Sequence, residues 1–311
     1  MVAVAAVAAV AVVAAVAACS VAPEPPDSGA AAAVTRSEER LEVFASNYPL
    51  RYFTERIGGA AVGVTMPSGI DDPAFWEPAP EQIATVQGAD LIVLNGAGYE
   101  KWARTATLPV SHVIDTTAAL TDRLVAEASS ITHSHGPEAE HSHGEVAFTT
   151  WLDMTLALEQ ARIIAAALAA RLPNSNTVDA NFAALESELL ALDEALREVG
   201  REAAGQPILA SHPVYQYLGR SYDMKIDSLH LEAGDELNDN DRADLEAAAK
   251  SGVEVMLWEA APQASTLAFL EQLGIDGIVF APLGVAPDSG DWLSAMQENI
   301  ARLRAALKET P

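Results

Sequence analysis

One stretch of this 311-residue chain constrains its fold more than any other, because seven apolar residues in it recur at alternating spacings of four and three. A repeat of about 3.5 residues is typical of a long helix with a single apolar stripe. At 1.5 Å per residue this helix would be about 30 Å long. A coiled coil is the alternative interpretation, but about three heptads without a neighbouring repeat favour one rigid helix. The stripe consists of Val178, Phe182, Leu185, Leu189, Leu192, Leu196 and Val199.

Short apolar runs alternate with helical segments on both sides of this helix. Such alternation predicts parallel sheets with helices on their faces. We therefore predict an α/β fold class, in which two α/β lobes with mostly parallel sheets are joined by one long spine helix and enclose a cleft. The predicted strands are residues 41–45, 62–64, 91–94, 113–114, 208–210, 253–258 and 277–280, and the predicted helices are 80–86, 239–250, 265–273 and 291–307. The predicted divisions are an N-terminal lobe at 39–176, the spine helix at 177–203 and a C-terminal lobe at 204–311.

The beginning of the chain has the features of an export signal. Residues 2–18 are only Ala and Val, a run shorter than the roughly 20 residues of a membrane-spanning helix. The run ends in Val16-Ala17-Ala18-Cys19-Ser20, which resembles a bacterial lipobox with Cys19 as the lipidated residue. We predict a signal peptide with lipobox at 1–19, a flexible tether at 20–38, and an exported, periplasmic or cell-surface protein anchored by lipid. The alternative is a plain cleaved signal in which Cys19 is incidental.

Composition excludes several classes of function. The formal net charge is −26, which argues against nucleic-acid binding, since that needs a cationic face against phosphates. An acidic surface of this kind is either a solvated coat or one that attracts cations. The single cysteine rules out a disulfide within the chain. The chain contains no HExxH or GxSxG motif, and we expect a binding protein rather than an enzyme.

Five local motifs occur along the chain in a recognisable order. They are Asp72-Pro73-Ala74-Phe75-Trp76-Glu77-Pro78, Asn95-Gly96-Ala97-Gly98-Tyr99-Glu100-Lys101-Trp102, Trp151-Leu152-Asp153, Ser211-His212-Pro213-Val214-Tyr215-Gln216-Tyr217 and Ala281-Pro282-Leu283-Gly284. Together they resemble the metal-binding, zinc/manganese solute-binding proteins of bacterial ABC importers, of the cluster A-I type. The resemblance covers about residues 42–307. It implies two four-stranded α/β lobes, a spine helix and a metal ion in the cleft.

The resemblance also implies where the metal ligands should be, and here the chain diverges. The family uses a His in the first motif, a His two residues before the Trp, a His or Glu in the fourth motif and a carboxylate in the last. The corresponding positions are Ala74, Thr149, His212 and Ala281, so only His212 matches. Imidazole and carboxylate ligands suit Zn²⁺ or the harder Mn²⁺.

Other residues offer substitute ligands. Glu259 ends a predicted strand and is either a ligand or a partner that orients the His212 ring. The His-rich loop 133–143 carries His133, His135, His141 and His143 between carboxylates and predicts a weak, exchangeable metal site. The alternative for this loop is a solvated linker. His112 and His230 receive no role. We predict that the cleft is lined by Tyr48, Ala74, Trp76, Thr149, Tyr215 and Ala281.

The sequence therefore predicts a monomeric solute-binding lipoprotein of a metal ABC importer. It would capture zinc, or manganese, in the interlobe cleft and deliver it to a membrane permease and its ATPase. The alternative is the same fold adapted to an organic solute or a metal chelate, or to a role as a surface adhesin. The residues Ala74, Thr149 and Ala281 motivate that alternative.

Overall fold

A computed structural model describes residues 40–126, 132–134, 140–142, 146–203 and 205–309. The predicted signal peptide, the tether and Cys19 lie outside the described residues, as do His135 and His143. Within the described part of the chain, no helix combines the length and the apolar character needed to cross a membrane.

The first lobe is built on a parallel sheet of four strands. They are β1 (Leu41–Ala45), β2 (Val62–Thr65), β3 (Leu91–Leu94) and β4 (Val113–Asp115), in the order β2-β1-β3-β4. Helix α1 (Tyr48–Gly58) joins β1 to β2, and α2 (Pro80–Gln87) precedes β3. All four residues of β3 are buried, as expected for a strand covered on both faces.

Two short strands follow within the His-rich loop, and two helices lead out of the lobe. Strands β5 (Thr132–Ser134) and β6 (Glu140–Ser142) pair antiparallel, with His133 opposite His141. Helix α3 (Met154–Ala169) begins at Asp153, whose Oδ1 accepts hydrogen bonds from the backbone N–H groups of Thr155 and Leu156. Helix α4 (Ser175–Ala203) is the predicted spine.

The second lobe repeats the strand order of the first. Its strands β7 (Pro207–Ala210), β8 (Lys225–Ser228), β9 (Val255–Trp258) and β10 (Asp276–Val279) are parallel, in the order β10-β9-β7-β8. Its helices are α5 (Gln216–Ser221), α6 (Asp239–Lys250), α7 (Ala264–Leu273) and α8 (Trp292–Glu309). Both sheets therefore have the order second, first, third, fourth strand, and the predicted fold class is confirmed.

The apolar stripe of α4 lies in the core, as predicted. Its members are buried except Phe182, which is half-buried with the guanidinium of Arg162 5.2 Å from its ring centroid. Helix α4 contacts α1 and α3 of the first lobe and α8 of the second. Its 29 residues make it about 43 Å long, longer than the stripe alone predicts.

Ion pairs add to this packing on both sides of α4. Arg56 of α1 lies 2.7 Å from Glu188 of α4, and Arg304 of α8 lies 2.7 Å from Glu198. These pairs are partly exposed, so each contributes at most about 1 kcal/mol. The buried leucines hold the lobes to the helix, and the ion pairs favour one register of that contact.

Substitutions of two adjacent leucines test whether α4 is the core helix shared by both lobes. Leu189 is fully buried, whereas Leu190 is 50% exposed. We expect Leu189→Ala to lower the free energy of unfolding by about 2–5 kcal/mol, since it leaves a cavity between packed helices. Leu190→Ala is the control and should change it by no more than about 0.5 kcal/mol. Equilibrium urea denaturation measures both, and equal losses would contradict the assignment of α4 as the common core helix.

Candidate metal centre

The strand order of the two sheets determines where a binding site can form. In open α/β sheets, ligands bind beyond the carboxyl ends of the strands, at the point where the strand order reverses. In the second lobe this point lies between β7 and β9. His212 follows β7 and Glu259 follows β9, so both side chains belong to that position.

The imidazole of His212 lies between two carboxylates. Its Nδ1 is 3.2 Å from Oε1 of Glu259, and its Nε2 is 3.4 Å from Oε1 of Glu232. The side chain of His212 is 14% exposed. Burial by itself lowers the pKa of His212, but the hydrogen bond to Glu259 and the charges of Glu259 and Glu232 outweigh it, so the pKa lies above its usual value. The local potential is therefore negative and favours a cation.

A cavity of about 690 Å³ surrounds this group and lies between the two lobes. This volume is within the usual range for small-ligand sites, about 300–1,000 Å³. Both lobes supply carboxylates to it. Its lining includes Asp71, Asp72 and Phe75 from the first lobe, and His212, Glu232 and Glu259 from the second.

Asp72 shows how strongly the cavity disfavours further negative charge. Burial, and to a lesser extent the charge of Glu259, raise the pKa of this carboxyl to about 6, although the hydrogen bond from the backbone N–H of Ala74 and the charge of Lys101 lower it. The carboxyls of Asp72 and Glu259, from opposite lobes, therefore interact electrostatically. A bound cation would relieve this repulsion.

None of the six residues predicted to line the cleft is part of the lining of this cavity. Four of them lie at or beside contacts between structural elements. The hydroxyl of Thr149 donates to the carbonyl of Val214 at 2.6 Å, and the hydroxyl of Tyr215 donates to the carbonyl of Phe280 at 2.7 Å. The backbone N–H of Tyr48 donates to the carbonyl of Gly284 at 2.9 Å, and the side chain of Asn299 bonds both backbone groups of Ala281.

The other two predicted cleft residues, Ala74 and Trp76, line a separate cavity of about 660 Å³ in the first lobe. Trp76 packs there against Phe44 and Trp102, with ring centroids 5.8 and 5.4 Å away. Ala74 is 3% exposed and offers no side-chain donor. The positions that the resemblance assigns to metal ligands therefore serve packing and hydrogen bonding here, with His212 as the exception.

Sequence reasoning missed His230 and Glu232, which follow β8. The ring of His230 lies 5.9 Å from that of His212, centroid to centroid. Because the carboxyl ends of parallel strands meet at one edge of a sheet, a prediction of β8 would have placed both residues beside His212. Within the described residues, no three His, Cys, Asp or Glu side chains already converge as metal ligands.

The backbone of the His-rich loop brings two of its histidines together. His133 and His141 are directly opposed in the β5–β6 pair. His133 and His141 therefore stay predicted ligands. The same holds for His135 and His143, which lie outside the described residues.

Several hydrogen bonds fix the two lobes relative to each other. The indole N–H of Trp151 donates to the carbonyl of Pro282 at 2.6 Å. The backbone N–H of Met154 donates to the hydroxyl of Tyr222 at 3.0 Å, and the hydroxyl of Ser221 donates to Asp153 at 2.7 Å. These bonds cross from the first lobe to the second beside α4, so they oppose a change in the width of the cleft.

The fold and site together define a two-lobed α/β binding protein. A family model described as zinc-uptake complex component A, periplasmic (ZnuA), matches residues 43–306. The chain therefore belongs to this family, whose members are components of uptake complexes, and the predicted resemblance is confirmed.

Individual relatives agree with this membership. The chain is 27% identical to the high-affinity zinc uptake system protein ZnuA of Bacillus subtilis, over 64% of each chain. It is also 27% identical to the zinc-binding lipoprotein AdcA of Streptococcus pneumoniae, over 61% of this chain and 39% of that protein. The matches therefore span less than two thirds of the length of these relatives.

Solved structures show the same fold at lower identity. The Zn(II)-bound ZnuA-like domain of Streptococcus pneumoniae AdcA aligns with a TM-score of 0.72 and 21% identity, over 87% of this chain and all of that domain. The periplasmic zinc-binding protein TroA of Treponema pallidum aligns with a TM-score of 0.66 and 17% identity, over 86% of this chain and 99% of that one.

The motif at 95–102 forms a turn around the buried carboxyl of Glu100. Oε1 of Glu100 accepts a hydrogen bond from the backbone N–H of Asn95 at 2.6 Å, and Oε2 accepts one from Gly96 at 3.1 Å. Gly96 has φ +77°, and a Cβ there would lie 2.0 Å from Asp115. Burial raises the pKa of Glu100 to about 7, although these hydrogen bonds lower it.

The raised pKa of Glu100 gives a signed prediction for stability. The folded state binds this proton more tightly than the unfolded state, whose glutamate has a pKa near 4.5. The contribution of Glu100 to the free energy of unfolding is therefore fully present below about pH 4.5 and is lost as pH rises through about 7. Glu100→Gln cannot titrate at this position. At low pH it should be less stable than wild type, and its free energy of unfolding should change less between about pH 4.5 and 7. Urea denaturation at several pH values measures this, and parallel curves for the two proteins would contradict it.

Proposed function

We propose that this protein is the extracytoplasmic solute-binding lipoprotein of a metal ABC importer. It captures zinc in the cleft between its lobes and delivers the ion to a membrane permease driven by an ATPase. Membership of the zinc-uptake component family and the zinc-related names of its relatives support this proposal. The observation that carries it is the position of His212, buried at the reversal of the second sheet in a cavity lined by carboxylates from both lobes.

The donors present fit zinc better than a harder ion. Zinc accepts imidazole nitrogen and carboxylate oxygen together, whereas manganese prefers oxygen ligands. His212 is the predicted ligand from the second lobe, and Glu259 is either a second ligand or the partner that orients the His212 ring. The acidic cavity would raise the local concentration of any divalent cation, so selectivity must come from the nitrogen donors.

We also propose that the loop histidines His133, His135, His141 and His143 supply further donors to the ion. Ala74 and Ala281 have no side-chain donor, and the hydroxyl of Thr149 is bonded to the carbonyl of Val214. A site with only one histidine would leave a zinc ion short of nitrogen ligands. In sequence the loop ends at residue 143, shortly before Thr149 and the motif Trp151-Leu152-Asp153.

The remaining parts of the chain follow from this role. We propose that residues 1–19 are a signal peptide with a lipobox, that Cys19 carries the lipid and that 20–38 form a tether. The N-terminal lobe (39–176) and the C-terminal lobe (204–311), joined by the spine (177–203), bind one solute as a monomer. We propose binding without catalysis.

Zinc titration of the full chain tests the site. We expect isothermal calorimetry to show that wild-type protein binds Zn²⁺ and that His212→Ala weakens the affinity about tenfold or more. Even mutation of a residue that only orients a metal ligand lowers metal affinity by about 10–100-fold. His112→Ala is the control, because His112 contacts the carbonyl of Ala89 in the first lobe. A variant with Ala at all four loop histidines tests their contribution. If neither the His212 change nor the loop change weakens binding, the proposed ligands are wrong, and absence of any zinc binding by wild type would favour an organic solute or chelate.

Replacement of Cys19 tests the lipid anchor. We expect wild-type protein to incorporate a clickable fatty acid in a bacterial host and to sediment with membranes, because dual acylation gives stable anchoring. Cys19→Ala should lose the label and leave the membrane fraction, whereas the neighbouring change Ser20→Ala should leave both unchanged. Label retained in Cys19→Ala would contradict lipidation at this residue.

A further inference from the structure

The second lobe alone carries more metal donors at the cleft than the family resemblance implies. His230 and Glu232 follow β8 and lie beside His212, which follows β7. Both residues are exposed, and Glu232, whose side chain is 45% exposed, lines the cavity. They occupy none of the four positions that the resemblance assigns to ligands.

The two nitrogens of His212 face different carboxylates, and this separates the roles of Glu259 and Glu232. A histidine that binds a metal uses one ring nitrogen, while the other commonly donates to a carboxylate that fixes the ring. Nδ1 of His212 is hydrogen-bonded to Glu259 at 3.2 Å. Nε2 is the nitrogen that faces away from Glu259, and it lies 3.4 Å from Oε1 of Glu232.

The spacing of Nε2 and Glu232 is that of two ligands on one ion. Zinc bonds of about 2.0–2.2 Å in a tetrahedron place neighbouring donor atoms about 3.3–3.5 Å apart. Nε2 of His212 and Oε1 of Glu232 are separated by 3.4 Å. An ion between them would be in contact with both donors at ordinary bond lengths.

The distance between the two imidazoles gives an independent observation. With the same bond lengths and angles, two imidazoles on one tetrahedral ion have ring centroids about 5–6 Å apart. The rings of His212 and His230 are 5.9 Å apart, with 67° between their planes. The two rings are therefore as close as two imidazoles that bind one ion.

We propose that His230 and Glu232 join Nε2 of His212 as ligands of the transported ion, and that Glu259 is a positioning residue that orients the His212 ring. This inference rests on the proposed function, namely that the cleft binds a divalent metal ion. Two imidazoles and one carboxylate select a borderline ion such as Zn²⁺ over Mn²⁺ or Mg²⁺. They leave a fourth tetrahedral position for water or a loop histidine.

The site would then be contained in one lobe. All three ligands follow neighbouring strands of one sheet, so the ion can bind without closure of the cleft. This agrees with the hydrogen bonds that fix the lobes, such as those from Trp151 to Pro282 and from Met154 to Tyr222.

Affinity measurements on the full chain test the ligand roles. Competition with a chromophoric zinc chelator gives the Kd for wild type, Glu232→Gln and His230→Gln. We expect each substitution to raise the Kd about tenfold or more, and Glu271→Gln, an exposed change on α7, to leave it unchanged. Both residues are exposed, so circular dichroism and the melting temperature of the metal-free variants should match those of wild type.

Cobalt spectroscopy separates a ligand from a positioning residue. The d–d bands of bound Co²⁺ depend on its donor atoms, so His230→Gln should alter the spectrum. Glu259→Gln, which keeps an oxygen acceptor, should lower affinity but preserve the band pattern and should bind more tightly than Glu259→Ala. A spectrum altered by Glu259→Gln as strongly as by His230→Gln would overturn the positioning role.

The outcomes distinguish failure of this ligand set from failure of the proposed zinc-binding function. If wild type binds zinc tightly and Glu232→Gln and His230→Gln bind it equally well, this ligand set is wrong while the proposed function stands. If wild type itself binds no zinc, the proposed function fails and this inference fails with it.

Discussion

The contact of both lobes with a single helix is the interaction on which the rest of the structure depends. Leu185, Leu189 and Leu196 of α4 are completely buried, and fully burying a leucine stabilises a fold by about 1.5–3 kcal/mol. Because α1 and α3 pack on this helix from the first lobe and α8 from the second, the same residues stabilise each lobe and set the gap between them. The position of the cavity is thus a consequence of helix packing.

Sequence periodicity predicted those elements whose burial pattern is simple. Strands β1 and β3 and helix α6 were predicted at their observed bounds. The two strands are short and mostly apolar, with Glu42 as the one charged residue, and the helix is a capped amphipathic segment. Helix α3 was missed because it is buried on most of its surface and consists largely of Ala, Leu and Ile, so it shows no stripe. Strand β8 was missed for the opposite reason. It is an edge strand in which only Ile226 is apolar, and its other residues are exposed.

Whether a site residue could be predicted depended on whether the strand before it has a recognisable apolar pattern. His212 and Glu259 follow recognisable strands, and the structure places their side chains 3.2 Å apart. Glu232 follows the strand that the sequence did not reveal, so its position beside the same imidazole could not be inferred. Tyr215 and Thr149 were expected in the cleft because of their places in motifs. Their side chains instead complete hydrogen bonds to backbone carbonyls, and such partners depend on the packing of distant segments rather than on local pattern.

The two loops that carry Ala74 and Ala281 are held by hydrogen bonds at positions where the family resemblance assigns metal ligands. The backbone N–H of Ala74 donates to Asp72, and both backbone groups of Ala281 bond to the side chain of Asn299. A typical hydrogen bond of this kind contributes about 0.5–1.5 kcal/mol to stability. The cavity beside these loops has a negative potential. The pKa of Asp72 is raised to about 6 by burial and by the charge of Glu259, so a divalent cation there would stabilise carboxylates of both lobes whichever side chains coordinate it. The electrostatics of the cleft thus favour a cation independently of which side chains of the second lobe coordinate it.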